Sequence, residues 1–353
     1  MSYEPPYTIT PHIVQRVAEI VELVTRWAVP GDDAIAPQLQ RNNRIRTIQA
    51  SLAIENNTLS IEQVTAVLDG KPVIGLPREI QEVRNAFVAY EQLTQWQLHS
   101  SEDLLAAHGV LMAELVDDAG HYRRGGVGIY SNQGLVHMVL PADRLRGLMT
   151  DLLGWLASEP VHPLIASCVF HYEFEFIHPF ADGNGRMGRM WQTLILSQWQ
   201  PMLAYLPVET VIKTRQTAYY EALAAADKQG DSTSFIEFML HALLDAMTEA
   251  LTETSVKVSE KTSEKIINAL EHNHAMTISE LAKSIGISTR SIERNLQKLQ
   301  KEGRYIPGEL PMLPFESGRF DHCLVVSSPL FVQCPPVGRV SSSGYPGDVA
   351  CRW

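Results

Sequence analysis

His178-Pro179-Phe180-Ala181-Asp182-Gly183-Asn184-Gly185-Arg186-Met187-Gly188-Arg189 decides how this chain is read, because it gathers an imidazole, a carboxylate, closely spaced glycines and two guanidiniums in one short run. Asp-Gly and Asn-Gly in succession predict a tight turn with positive φ, which can aim successive backbone N–H groups at one anion while the glycines leave it room. Met190 and the run Leu194-Ile195-Leu196 then carry the spacing of a buried helix. The cradle therefore falls at a helix N-terminus, where the dipole favours anions. An ordinary turn does not require His178, Arg186 and Arg189 around it. A calcium loop would want acidic or amide residues at alternate positions, and Arg186 stands where one should be.

This run resembles the signature of the Fic family, His-x-Phe-x-(Asp/Glu)-Gly-Asn-Gly-Arg-x-x-Arg, with every specified position matched. The resemblance implies a protein adenylyltransferase that moves AMP from its substrate ATP to a Ser, Thr or Tyr hydroxyl and releases pyrophosphate. By it, His178 is the general base and Asp182 holds a Mg²⁺ that bridges the α- and β-phosphates. Asn184 and the backbone from Gly183 to Gly185 cradle the phosphates, with Met187 and Gly188 in the same binding run. Arg186 neutralises their charge and Arg189 engages the γ-phosphate. The Doc branch, which transfers phosphate, is disfavoured because it alters the glycine-rich cradle that is intact here.

The chemistry asks for these residue types on its own account. A protein hydroxyl is a poor nucleophile at neutral pH, and histidine, with an ordinary pKa of about 6.5, is suited to take its proton. Charge building on the α-phosphoryl oxygens and on departing pyrophosphate needs preorganised cations and N–H donors. Mg²⁺ prefers oxygen ligands and uses few carboxylates besides substrate phosphates, so one aspartate is enough.

Ser51-Leu52-Ala53-Ile54-Glu55-Asn56 resembles the inhibitory motif of the same family, (Ser/Thr)-x-x-x-Glu-(Gly/Asn). Ser51 and Glu55 share one face of the helix suggested by Ile45, Ile48, Leu52 and Ile54, near an end that Asn56-Asn57 can stop. The resemblance implies that Glu55 pairs with Arg189 and denies it to the γ-phosphate, as in the self-inhibited subgroup with an N-terminal inhibitory helix. The alternatives are a solvated glutamate at a helix end, and a Glu55 that orients water to remove AMP from a modified protein.

Residues 126–140 alternate apolar and polar side chains around Asn132-Gln133-Gly134 and predict a β-hairpin in a helical chain. The resemblance makes it a flap that holds the target protein by strand addition, with Leu135, Val136 and His137 nearest the nucleotide. A purely structural hairpin is the alternative. Tyr219, Tyr220 and Asp227 resemble an adenosine-binding segment of some relatives, although Asp stands where those often carry Asn. Core packing beside Leu223 explains the tyrosines equally well.

Helical spacing runs through Ile13 to Trp27, Arg41 to Glu55, Glu79 to Trp96, Glu102 to Val116, Asp143 to Leu156, Pro163 to Phe176, Gly185 to Trp199, Val211 to Ala226 and Ser234 to Thr252. Ser60 with Gln63 makes a capping box, and Pro77 opens the next helix. With 353 residues and 45% apolar content the chain can bury a sizeable core and divide into domains. No run of about 18 uninterrupted apolar residues appears and the N-terminus lacks a signal peptide, which predicts a cytoplasmic protein with no membrane partner. Cys168, Cys323, Cys334 and Cys351 imply neither a metal site nor a disulfide framework. A net charge of −11 argues against indiscriminate nucleic-acid binding.

From Lys257 to Arg304 the charge turns to +3, leaving −14 on the rest. Thr277-Ile278-Ser279-Glu280 is a capping box, Gly286 a turn and Ser288 a second cap, with Ile292, Leu296 and Leu299 facing inward. This is a helix-turn-helix, preceded by a helix at Lys261 to Leu270. It resembles the winged-helix domain that many Fic proteins carry here. Thr289, Arg290, Ser291 and Arg294 would lie on its open face, and its partner is either DNA or a protein. After Gly303 the prolines and cysteines match no wing, and a shifted reading frame near Arg304 is one account of them. The expectation is a mainly α fold: an N-terminal helical region over 1–100 with an inhibitory helix near 41–56, a Fic-type helical core over 101–255 with the hairpin flap, a winged helix-turn-helix over 256–326 and an unstructured tail over 327–353. Self-modification and a homo-oligomer are compatible with it, and a regulator using the Fic core as a sensor is the competing class.

Overall fold

Helices dominate because apolar residues recur at helical spacing over long stretches, with the prolines of the α-helices confined to their first positions. The computed structural model describes residues 3–28, 37–125, 128–131, 134–138, 140–158, 161–273 and 276–305. In chain order these form α1 (Pro11–Ala28), α2 (Pro37–Ile54), α3 (Ile61–Leu68), α4 (Pro77–Glu91), α5 (Ser101–Leu111), strands β1 (Gly128–Ser131) and β2 (Gly134–Met138), then α6 (Leu145–Ser158), α7 (Pro163–Ile177), α8 (Asn184–Trp199), α9 (Val208–Thr214), α10 (Gln216–Gln229), α11 (Thr233–His272), α12 (Ile278–Ile285) and α13 (Thr289–Lys301). The fold is thus mainly α, a helical bundle with one hairpin followed by a helix-turn-helix.

Two nearly all-buried helices, α7 and α8, form the centre of the first unit, Met1–Thr262. Phe170, Phe174, Trp191 and Leu194 are among the side chains they bury, and α2, α4, α5, α6 and α9 to α11 contribute to the same core. The signature run is the α7–α8 connection itself, so its geometry is set by the two most enclosed elements. Local signals start and stop the helices as expected. Ser60 and Gln63 close a reciprocal capping box, and Pro77 is the first residue of α4. Asn56 stops α2 in the left-handed region (φ 67°), with Asn57 N–H donating to Leu52 O, a Schellman-type end.

Several helices differ from their expected extents: α4, expected to reach Trp96, ends at Glu91 and is followed by a 3₁₀ turn over Leu93–Gln95. α5 ends at Leu111, before a turn in which Glu114 has φ 61°. The stretch expected as one helix over Val211 to Ala226 is two, separated at Arg215 (φ −112°, ψ 33°). α11 runs on to His272 through the polar stretch 256–260. That stretch contains neither Gly nor Pro, so a change of polarity there is not a break in the helix. β1 and β2 pair antiparallel, Gly128 opposite Met138 and Ser131 opposite Gly134, with an irregularity between Ile129 and Tyr130.

The second unit spans Ser263–Trp353. Ile266, Ile267 and Leu270 pack with Leu281, Ala282, Ile292 and Leu299. Thr277 and Glu280 form the expected capping box, Gly286 ends α12 in the left-handed region and Ser288 caps α13. The wing and tail over 306–353 lie outside the described residues. Among the described residues no helix is long and apolar enough to cross a membrane.

Candidate active site

His178 ends α7 in the left-handed region (φ 50°), a conformation that costs a non-glycine residue roughly 1–2 kcal/mol and so has to be imposed by its surroundings. Arg123 supplies much of that constraint. It is buried and gives its guanidinium to main-chain carbonyls: His178 at 2.7 Å, Gly125 at 2.9 Å, Leu140 at 2.6 Å and Ile177 at 3.4 Å. Its own N–H donates to Pro179 O at 3.0 Å. One side chain thereby ties both ends of the hairpin segment to the loop that carries His178.

The rest of the loop is closed from inside. Asn184 is buried, accepts from Phe180 N–H and donates to Phe180 O, both at 2.9 Å. Both polar ends of the Asn184 side chain are thus engaged in closing the turn. His108 stacks on Phe180 with centroids 3.6 Å apart. Its Nδ1 accepts from Gly120 N–H, so Nε2 carries the proton donated to Asp182 O at 3.0 Å. Burial pulls its pKa down to about 4, and the ring is neutral.

Gly183, with φ 86°, precedes α8, and a Cβ there would lie 2.7 Å from Met112 Sδ. No side chain caps α8. Its first N–H groups, at Asn184, Gly185 and Arg186, have no intrahelical acceptor by construction and point out of the helix end, an arrangement that can receive an anion. The Met187 side chain is buried and its N–H donates to Gly183 O. Gly188 faces inward, where a Cβ would lie 3.1 Å from His171 Cδ2 and 3.3 Å from Glu175 Oε1.

Cations gather on this helix end. Arg186 is buried and donates to Asp182 Oδ1 at 2.9 Å, with Glu82 Oε1 at 3.4 Å. Asp182 also accepts from Gly183 N–H at 2.6 Å and, through Oδ2, from Arg78 at 3.0 Å. Its side chain is 41% exposed, which leaves a hard oxygen donor accessible at the mouth of the cradle. Among the described residues no cluster of three or more His, Cys, Asp or Glu is placed to hold a metal. A site of one carboxylate completed by substrate phosphates fits Mg²⁺, and Asp182 meets that requirement once its exposed partner Arg78 yields.

Arg189 is 2% exposed. Its Nε donates to Ser51 Oγ at 3.1 Å, and Nη2 donates to Ser51 O at 3.1 Å and Glu55 Oε1 at 2.8 Å. Burial opposes its charge, but Glu55, Tyr219 and Glu175 outweigh that and hold the guanidinium firmly protonated. A Cβ on Gly185 would collide with Glu55 Oε1 and lie 3.0 Å from Arg189 Nη1, so the Glu55 carboxylate rests on the glycine of the cradle. Gln216 of α10 donates to Ile54 O at 3.0 Å and pins the end of α2 where this contact is made.

Tyr219 is buried, its hydroxyl 3.1 Å from His171 Nε2, while His171 Nδ1 meets Gln192 Oε1 at 2.7 Å. Tyr219 is thereby an enclosed aromatic with a satisfied polar end, as the core-packing alternative expects. Tyr220 is exposed, and Asp227 accepts from Tyr172 Oη at 3.1 Å. The β2 backbone includes Leu135, Val136 and His137, but their side chains lie outside the described ones. In the second unit Thr289, Arg290 and Arg294 are exposed and Ser291 is half-buried with its N–H held by Ser288 Oγ. Sequence reasoning misses Arg78, Glu82, His108 and Arg123, since each acts through a contact distant in sequence or through main-chain carbonyls that no spacing announces, and it misses Glu175, whose burial beside His178 no spacing announces. A lone Arg123 just before a predicted hairpin is the nearest thing to a signal.

The Fic/DOC family model matches residues 98–196 and a winged helix-turn-helix DNA-binding model matches residues 259–304. The chain is 56% identical to a Fic family protein of known structure from Desulfovibrio desulfuricans G20, with a TM-score of 0.70, covering 86% of this chain and 92% of that one. The fold is shared with Fic-1 (residues 134–508) from C. elegans at 22% identity and a TM-score of 0.59, over 69% of this chain and 73% of that one. It is also 27% identical over 218 residues to the protein adenylyltransferase Fic of Culex quinquefasciatus, covering 59% of this chain and 41% of that protein. The chain thus spans less than half the length of that relative.

Proposed function

This chain belongs to the Fic/DOC family, and we propose that it is a protein adenylyltransferase that moves AMP from ATP to a Ser, Thr or Tyr hydroxyl of a target protein and is restrained by its own Glu55. The observation that carries this reading is the uncapped start of α8 with Arg186 and Arg189 buried in its first two turns, entered from α7 by the short loop that begins at His178. A triphosphate laid along the N–H groups of Asn184, Gly185 and Arg186 would have its charge met by the helix end and the two guanidiniums.

In the transfer the target hydroxyl oxygen bonds to the α-phosphorus, the bond from that phosphorus to the bridging oxygen breaks, and the electron pair leaves with pyrophosphate. His178 takes the hydroxyl proton, which keeps the nucleophile from having to ionise in water. Asp182 is the residue that would hold Mg²⁺, whose charge would offset that on the phosphate oxygens. The hairpin is proposed to hold the target segment by strand addition, and the helix-turn-helix, with Arg290 and Arg294 exposed, to bind DNA.

Restraint follows from occupancy. The Glu55 carboxylate takes Arg189 Nη2 and lies over Gly185, so a γ-phosphate would have to displace an ion pair buried on the arginine side. Incubation with α-labelled ATP and Mg²⁺ in a cell lysate tests the proposal. Label should reach protein, far more with Glu55→Gly than with the wild type. No transfer from either would sink it. Release of AMP from a pre-modified protein that requires Glu55 would instead favour removal over addition.

A further inference from the structure

Glu175 stands one helical turn before His178, on the last turn of α7. Its side chain is only 14% exposed, and its Oε2 lies 4.0 Å from His178 Nδ1. Its Oε1 is buried without a hydrogen-bond partner among the described residues. A carboxylate enclosed at this cost needs a reason, since buried polar atoms are nearly always satisfied. Gly188 makes the room: a Cβ there would lie 3.3 Å from Glu175 Oε1. The position is not explained by packing, because an apolar side chain would fill the same space without the desolvation.

We propose that Glu175 is the positioning residue of the base: its carboxylate faces Nδ1 of His178, fixes the proton on that nitrogen and leaves Nε2 to accept the target hydroxyl's proton. The inference rests on His178 being the base of the proposed transfer. A distance of 4.0 Å is too long for a hydrogen bond in this state, and catalytic hydrogen bonds commonly tighten only when substrate is bound.

Glu175 also lies within the field of the inhibitory contact. The groups that face it are His178 and His171 on its own segment, Arg189 from α8, Glu55 from the end of α2, and Tyr219 and Tyr220 from α10. Burial is the main cause that brings its pKa up to about 7; Arg189 opposes this and Glu55 reinforces it. When Glu55 leaves, one anion is removed while Arg189 stays. Glu175 then ionises more readily and pulls the imidazole proton to Nδ1 more strongly. The contact that withholds Arg189 from ATP thus also keeps the base's partner from charging.

The test follows the imidazole directly by nitrogen NMR of histidine-labelled protein, with His178 assigned by His178→Ala. Glu175→Gln in the Glu55→Gly background should lower the His178 pKa by about one unit, the size of shift that a charge within about 4–6 Å imposes. Glu55→Gly alone should raise it, and should lose that effect once Glu175→Gln is present. The acid limb of the pH–rate profile should move with it while ATP affinity holds. An unchanged His178 pKa overturns the pairing. If Glu175→Gln does not fold, the Glu55→Gly protein still decides: carbon NMR of Glu175 and nitrogen NMR of His178 should each inflect at the other's midpoint. Independent titrations overturn the proposal. Because the NMR titrations need no turnover, absence of AMP transfer would remove the functional reading without deciding this one, and normal transfer with uncoupled titrations would remove this one alone.

Discussion

Arg189 and Glu55 meet at 2.8 Å although 134 positions of sequence separate them, and the contact buries the guanidinium against Ser51 at the same time. If that contact restrains the enzyme, Glu55→Gly should raise self-labelling with ATP, whereas Arg189→Ala should not, because it would remove the proposed γ-phosphate ligand together with the proposed inhibitory contact. The double variant should stay far below Glu55→Gly alone. On ATP affinity the two substitutions should couple by about 0.5–3 kcal/mol, as contacting residues do. Additive effects, measured by calorimetry, would make Glu55 an ordinary helix-end glutamate.

His178→Ala in the Glu55→Gly background should cut labelling by about 10²–10⁴-fold, the usual loss for a general base. ATP binding should change little, since the imidazole acts on the hydroxyl and not on the nucleotide. Labelling equal to that of the parent would remove His178 from the mechanism.

Asp182→Ala should abolish metal-dependent turnover and free both Arg186 and Arg78 from their shared carboxylate. Nucleotide binding without Mg²⁺ should then hold or strengthen, because two cations lose their internal partner. Full activity in the presence of EDTA would contradict the role of Asp182.

Arg123→Met should be severely destabilising, since each buried carbonyl left unpaired costs about 1–3 kcal/mol. Arg123→Lys keeps the charge but cannot fork to His178, Gly125 and Leu140 together. It should fold with a lowered Tm and raise KM for the target protein more than KM for ATP, because the hairpin segment is what it ties to the loop. Equal effects on both constants would count against that link.

Stability should fall on acidification. His108 and His171 are held neutral by burial, with pKa values down from 6.5 to about 4 and about 3. The unfolded chain binds protons at these sites first, so their contribution is present above 6.5 and lost as pH falls toward 4 and 3. Glu175 has the opposite sign. Its pKa is raised to about 7, so its contribution is present below the ordinary value of 4.5 and lost as pH rises through 7. Relative to the wild type, Glu175→Gln should therefore gain stability between pH 5 and pH 8. A melting series that shows no such divergence would contradict the burial of this carboxyl.

The run from His178 to Arg189 was legible in sequence because its chemistry is local. Adjacent Asp-Gly and Asn-Gly set the turn, the apolar spacing after it sets the helix, and the uncapped helix start follows without help from distant residues. The same holds for the Ser60 and Thr277 capping boxes, for Gly286 and for Asn56, whose partners lie within a few residues. Tertiary structure decided what depends on two segments meeting. It buried Tyr219 against His171 and stacked His108 on Phe180. The Ser51 and Glu55 pattern made a contact with Arg189 conceivable, but its 2.8 Å length depends on α2 ending against α8. Arg123 and Glu175 were invisible in sequence. One binds main-chain carbonyls and the other gains its meaning from burial, and both properties exist only once the chain is packed.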